Sequence, residues 1–115
     1  MLNSKKLTED IKISVTRSLI EDIGDGDITA QLIPSSTMSN AFVVTRDPAV
    51  LCGQAWFNEV FRQLDSHIKI EWLAEDGESL EPEQIVCRLK GSARSILTGE
   101  RAALNFLQTL SGTAT

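Results

Sequence analysis

The chain has 115 residues, 42% hydrophobic and 23% charged, with a formal charge of −5 and a pI near 4.8. That length suits one domain with a modest core. The acidity argues against nucleic acid or an acidic membrane as a partner, because phosphate binding needs a basic surface.

No segment approaches the length that spans a bilayer, and the start Met1 to Leu7 lacks the apolar stretch of a signal peptide. Cys52 and Cys87 lie far apart, each inside an apolar stretch. They read as small hydrophobes rather than as a disulfide or metal pair. A cytoplasmic, reducing location is the expectation.

In chain order, Thr8 reads as a helix cap, with Glu9 and Asp10 suitably placed in the first turn. Ile11, Val15 and Leu19 recur every four residues, joined by Ile20 and Ile23, so this helix has one apolar face. Gly24 is its expected stop, and the loop Asp25-Gly26-Asp27-Ile28-Thr29 follows, ending near Pro34. Ala41 to Thr45 reads as a strand. Asp47-Pro48 marks a turn, and Val50 to Cys52 is expected to return as the second strand of a hairpin.

A second helix is expected from about Gln54 to Leu64, since Phe57, Val60, Phe61 and Leu64 keep helical spacing. Ile68, Ile70 and Trp72 alternate with His67, Lys69 and Glu71, the pattern of a half-buried strand. After the acidic turn opened by Asp76-Gly77, Ile85 to Leu89 reads as another strand, closed by Gly91. A long third helix is expected from near Ser92 to about Leu110. This order suits an α+β domain, a small, largely antiparallel sheet packed with helices. Its core is expected around Phe57, Val60, Phe61, Leu64, Ile70, Trp72 and Leu104. Residues 111–115 follow the last helix directly, and the expectation is that residues 1–115 form one domain of a longer protein.

The third helix carries the most unusual pattern. At 100° per residue, Arg94, Thr98, Asn105 and Gln108 fall within about 60° of Arg101. Ile96, Gly99, Ala103, Phe106, Leu107 and Leu110 fill most of the opposite half. A helix apolar over most of its circumference is largely buried. Its polar stripe therefore needs partners. Helix geometry alone favours a satisfied or solvated stripe, with Glu100 as an ion-pair partner. The other reading is an arginine aimed into a cleft to hold an anion, because a guanidinium offers a carboxylate two parallel hydrogen bonds.

Other candidates are weaker. His67, the single histidine, has no cysteine or second histidine nearby for a metal site. Asp25-Gly26-Asp27 starts like a calcium loop and then lacks the alternating ligands and the closing glutamate, so a turn using Asp27 or Thr29 is the preferred reading. Ser111-Gly112-Thr113 ends a helix instead of opening one, which excludes a phosphate loop. No nucleophile with a paired base is visible.

Three stretches together resemble the quinolinate phosphoribosyltransferase family. They are Glu21-Asp-Ile-Gly-Asp-Gly-Asp-Ile-Thr29, Leu51-Cys-Gly-Gln-Ala-Trp56 and Gly99-Glu-Arg-Ala-Ala-Leu-Asn-Phe-Leu-Gln-Thr-Leu-Ser-Gly-Thr-Ala114. The resemblance implies an N-terminal α+β domain whose last helix leads into a β/α barrel, the barrel being absent from this chain. It implies an enzyme that joins quinolinate and phosphoribosyl pyrophosphate, giving nicotinate mononucleotide, pyrophosphate and CO2 in NAD synthesis. Mg²⁺ is implied as cofactor, held by the barrel, and no catalytic residue falls within this chain. A homodimer with a site shared between subunits is also implied. One site residue carries over, the arginine of the Gly-Glu-Arg-x-x-Leu-Asn motif, which is Arg101. In the family it binds a quinolinate carboxylate in the neighbouring subunit's barrel. For Arg101 the resemblance reverses the order that helix geometry gave. Arg94, Asn105 and Gln108 receive no such role.

Three alternatives stand beside it. A related pyrophosphorylase found with molybdate transport shares this domain plan. A carrier module would explain the loose likeness of Asp76 to Gly91 to half a biotinyl domain, but the tip Asp76 to Gln84 has no lysine to modify. A non-catalytic dimerisation domain is the third, since apolar helix faces seek cover.

Overall fold

The computed structural model of the protein describes residues 4–34 and 36–114; for residues 4–6 and 22–31 it describes the backbone element alone. Three helices and five strands follow in the order α1 (Ser4–Gln31), β1 (Met38–Val44), β2 (Ala49–Val50), α2 (Gln54–Leu64), β3 (Lys69–Trp72), β4 (Ser79–Leu80), β5 (Ile85–Ser92) and α3 (Ala93–Ala114). One antiparallel sheet has the order β1-β5-β3, and a second pairs β2 with β4. The architecture is α+β, with no parallel pair among the described strands.

The first helix differs from expectation at both ends. It begins at Ser4, so Thr8 lies inside it and does not cap it. It also runs through Gly24 to Gln31. A helical glycine costs only about 1 kcal/mol against alanine, which makes it a weak stop. Pro34 is the firmer barrier, because proline cannot continue the ladder and biases its predecessor away from helix. The expected Asp25–Thr29 loop therefore falls within helix α1, and the roles suggested for Asp27 and Thr29 lie outside the described side chains.

The expected hairpin is not formed. β2 pairs with β4, Ala49 opposite Leu80, while β1 pairs along its length with β5. The turn at Asp47-Pro48 is real, and the Thr45 hydroxyl donates to Asp47 O at 2.7 Å. A turn signal fixes a change of direction but not the partner strand. Beyond β1 the backbone of Thr45 still bonds Glu83 and Gln84, so the chain stays committed to the β5 side. Cys52 cannot extend β2, since its N–H is taken by the Ser111 hydroxyl. β5 continues past its expected stop, with Gly91 still paired to Ser39.

The core lies among the three helices and the inner face of the larger sheet, with α3 packed on that sheet and α1 and α2 packed on α3. Phe57, Val60 and Phe61 are at most 1% exposed. Leu64, Ile70, Trp72 and Leu104 are half-buried and pack against that core. Trp72 lies on an edge strand and turns its indole N–H to Asn58 Oδ1 at 2.9 Å, which keeps one end of the ring near water.

Polar contacts join the helices. Glu59 is 7% exposed and receives Arg62 Nε at 2.6 Å and Gln63 Nε2 at 2.7 Å. Gln63 also donates to Lys12 O, tying α2 to α1. The Arg62 hydrogen bond, opposed by burial and aided by Gln63, holds the Glu59 carboxyl below its ordinary 4.5. Asp65 links α2 to α3, accepting from the His67 N–H at 2.9 Å and the Ser95 hydroxyl at 2.9 Å. The His67 backbone bond, then Ser95, depress the Asp65 carboxyl below its ordinary 3.8.

Both shifts are downward. The stability they confer is complete above the unfolded value and is lost as pH falls through the folded one. Urea midpoints should therefore hold from neutrality to about pH 4.5 and drop below it. Glu59→Gln should flatten that drop. An equally steep drop in the variant would contradict the assignment.

Candidate functional site

Helix α3 is the element on which the sequence placed a binding residue. Ser92 caps it, its hydroxyl accepting from Ser95 N at 3.3 Å. The helix runs 22 residues to Ala114, past the expected end near Leu110. Ser111 and Gly112 looked like an ending, yet Gly112 is only a weak break and Ser111 has a partner inside the domain.

α3 packs on α2 and α1 and also touches β1, β2 and β5. Ile96, Gly99, Ala102, Ala103, Leu107 and Ser111 are its buried residues. A Cβ on Gly99 would stand 2.7 Å from Leu64 Cδ1 and 2.8 Å from Phe61 Cε1, so this glycine sets the closest approach of α3 to α2. At the other end of the pair, Gly53 precedes α2 with φ of 107°, a left-handed conformation that glycine adopts freely. A Cβ there would stand 3.0 Å from Leu110 Cδ1. The two helices thus run antiparallel, in close contact at both ends.

With these sides packed, Arg101, Asn105 and Gln108 are left on the exposed side of α3. The stripe read from the sequence therefore divides. Arg94 is spent on structure, with Nε and Nη2 donating to Ile33 O at 3.1 and 2.6 Å. Thr98 returns its hydroxyl to Arg94 O at 2.9 Å. Among the described residues, Arg101 makes no hydrogen bond or ion pair, so the suggested pairing with Glu100 is not formed.

Two adjoining clefts lie between β1 and α3, of about 570 and 600 Å³. Both are lined by Arg46, Leu104 and Gln108. Arg101 lines neither of them and is exposed. A guanidinium exposed in this way holds an anion only weakly unless a second surface excludes water.

The other sequence candidates recede. His67 is exposed in the turn before β3, with Nδ1 3.3 Å from Asp65 Oδ1. Both cysteines are free, and burial pushes the Cys87 thiol up to about 12, which keeps it protonated and unreactive. Among the described residues no group of three or more His, Cys, Asp or Glu side chains could hold a metal. Among the same residues no helix is long and apolar enough to cross a membrane.

Two features escaped the sequence reading. Arg46 gave no signal beyond its charge. Ser111 gave one, a hydroxyl on a helix apolar over most of its circumference. It is buried, accepts the Cys52 N–H at 3.0 Å and donates to Cys52 O at 3.1 Å.

The pattern that defines the quinolinate phosphoribosyl transferase N-terminal domain matches residues 27–111. The chain belongs to that family. The family match takes in Gly53, Gly99, Arg101 and Ser111. Among solved structures, the nicotinate-nucleotide pyrophosphorylase from Francisella tularensis superimposes with a TM-score of 0.90 at 48% identity, over 94% of this chain and 39% of that one. Among curated relatives, the chloroplastic carboxylating nicotinate-nucleotide pyrophosphorylase of Oryza sativa subsp. japonica is 36% identical over 94% of this chain and 30% of its own length. A probable enzyme of the same name from Bacillus subtilis (strain 168) is 34% identical, over 91% of this chain and 36% of its own length. The chain thus spans about a third of these quinolinate phosphoribosyl transferase relatives.

Proposed function

We propose that this chain is the N-terminal domain of a carboxylating nicotinate-nucleotide pyrophosphorylase. That enzyme transfers phosphoribose from phosphoribosyl pyrophosphate to quinolinate, giving nicotinate mononucleotide, pyrophosphate and CO2. The chain's own contribution is Arg101, held ready for a quinolinate carboxylate. The observation that carries this reading is a guanidinium without a partner among the described residues, on a helix packed along its other sides. It stands at the arginine of the motif Gly99-Glu-Arg-Ala-Ala-Leu-Asn105, inside the family match.

The chemistry follows from that placement. Quinolinate carries two adjacent carboxylates, and its ring nitrogen must be turned toward the sugar. Orienting it needs cations fixed in direction as well as charge. Arginine on a packed helix meets that need better than lysine, a flexible point charge. The family resemblance implies that the barrel it serves belongs to the other subunit of a homodimer, and the exposure of Arg101 is compatible with that. Mg²⁺ would be held by oxygen ligands of the barrel. Two free cysteines suit a cytoplasmic enzyme.

The test is an assay of the purified 115-residue chain beside the full-length enzyme, with quinolinate, phosphoribosyl pyrophosphate and Mg²⁺. Full-length enzyme should form nicotinate mononucleotide and the 115-residue chain none. Turnover by the short chain alone, or none by the long one, would overturn the reading.

A further inference from the structure

We propose that Ser111 is a positioning residue for Arg101, fixing the rotation of α3 through the Cys52 backbone; this inference rests on the function proposed above. Ser111 lies ten residues beyond Arg101 on the same helix. Its hydroxyl takes both hydrogen-bonding groups of one peptide residue, the Cys52 N–H at 3.0 Å and the Cys52 carbonyl at 3.1 Å. A hydroxyl can do this because it is donor and acceptor at once. Cys52 is itself held, because Leu51 bonds Glu78 and Gly77 on one side and Gly53 opens α2 on the other.

Helix α3 is anchored on the α2 side at both ends. At the Gly99 end apolar surfaces set the distance, and the Ser95 hydroxyl donates to Asp65 Oδ2 at 2.9 Å. At the Ser111 end the paired bonds to Cys52 are the second directional anchor, and losing either lets the helix turn about the other. Arg101 lies between the two ends and has no bond of its own among the described residues to hold it. Its orientation is therefore inherited from the helix. A guanidinium reaches roughly 9 Å from the axis, so a turn of about 10° displaces it by about 1.5 Å. Misplacement by about 1 Å can cost about a hundredfold in rate.

Ser111→Thr and Ser111→Val test this in the full-length enzyme, with Arg101→Ala beside them. Threonine and valine share a shape and differ by the hydroxyl, so packing effects cancel between them. On protein shown to be folded by near-ultraviolet circular dichroism, Ser111→Val should raise KM for quinolinate at least tenfold above Ser111→Thr. KM for phosphoribosyl pyrophosphate should stay within about twofold, because Arg101 does not serve that substrate. A purely structural serine would lower the unfolding temperature and leave the two KM values in their parental ratio. Equal quinolinate KM in the two variants, with Arg101→Ala impaired, overturns the role of Ser111 alone. If Arg101→Ala keeps parental quinolinate KM, the proposed function fails and the positioning role falls with it.

Discussion

In the full-length enzyme, Arg101→Ala should lower kcat/KM for quinolinate by roughly 30-fold to several thousand-fold. That range converts the roughly 2–5 kcal/mol expected when a charge-assisted, desolvated contact is lost. Arg101→Lys should recover only part, since an ammonium replaces a planar fork by a point charge. Folding should be untouched. Arg101 is exposed and has no partner among the described residues, and surface changes of that kind usually stay within about 0.5 kcal/mol. Activity and urea unfolding measured on the same preparation check both statements. Unfolding of Arg101→Ala would show the arginine to be structural.

Gly99→Val should be strongly destabilising. A Cβ alone would stand 2.7 Å from Leu64 Cδ1 and 2.8 Å from Phe61 Cε1. The Leu64 methyl can swing aside. The Phe61 ring cannot, because it is 1% exposed and set against Phe57 with ring centroids 5.4 Å apart. Gly99→Ala would gain up to about 1 kcal/mol of helix propensity, which partly offsets the clash. Valine adds two more methyl groups and forgoes most of that gain. We expect a loss of about 3 kcal/mol or more for valine, and about 1–2 kcal/mol for alanine. Domains of this size are stable by about 5–15 kcal/mol, so the valine variant loses a large share. Urea midpoints measure it, and a valine variant as stable as the parent would mean that α2 and α3 do not meet at Gly99.

These two residues show what was legible in the sequence. The α3 pattern named both the buried side and the arginine stripe, because a helix advances by a fixed angle and the apolar residues dominate one side. Helix α2 matched to the residue for the same reason. Strand partners were not legible. β2 is two residues long, and nothing local in Ala49-Val50 points to Ser79-Leu80, twenty-nine positions ahead. The length of α1 was misjudged because glycine was given the force of a stop that only Pro34 supplies. The split within the polar stripe was also invisible. Arg94 and Arg101 share a helix face, but only tertiary structure brings Ile33 O to one of them and leaves the other open. Ser111 was placed just past the end of the helix, whereas it lies inside it and its hydroxyl serves a loop fifty-nine residues away.

Subunit complementation tests whether Arg101 serves the barrel of the partner subunit. Full-length Arg101→Ala enzyme is mixed with full-length enzyme that keeps Arg101 but is inactivated in its barrel. Subunit exchange is verified with differently tagged chains. At equal amounts about half the dimers are mixed, and one of the two sites in each pairs an intact barrel with an intact Arg101. About a quarter of parental activity should return from two inactive preparations. An arginine acting within its own subunit leaves every site defective, so absence of recovery despite exchange would mean that Arg101 does not serve the partner's barrel.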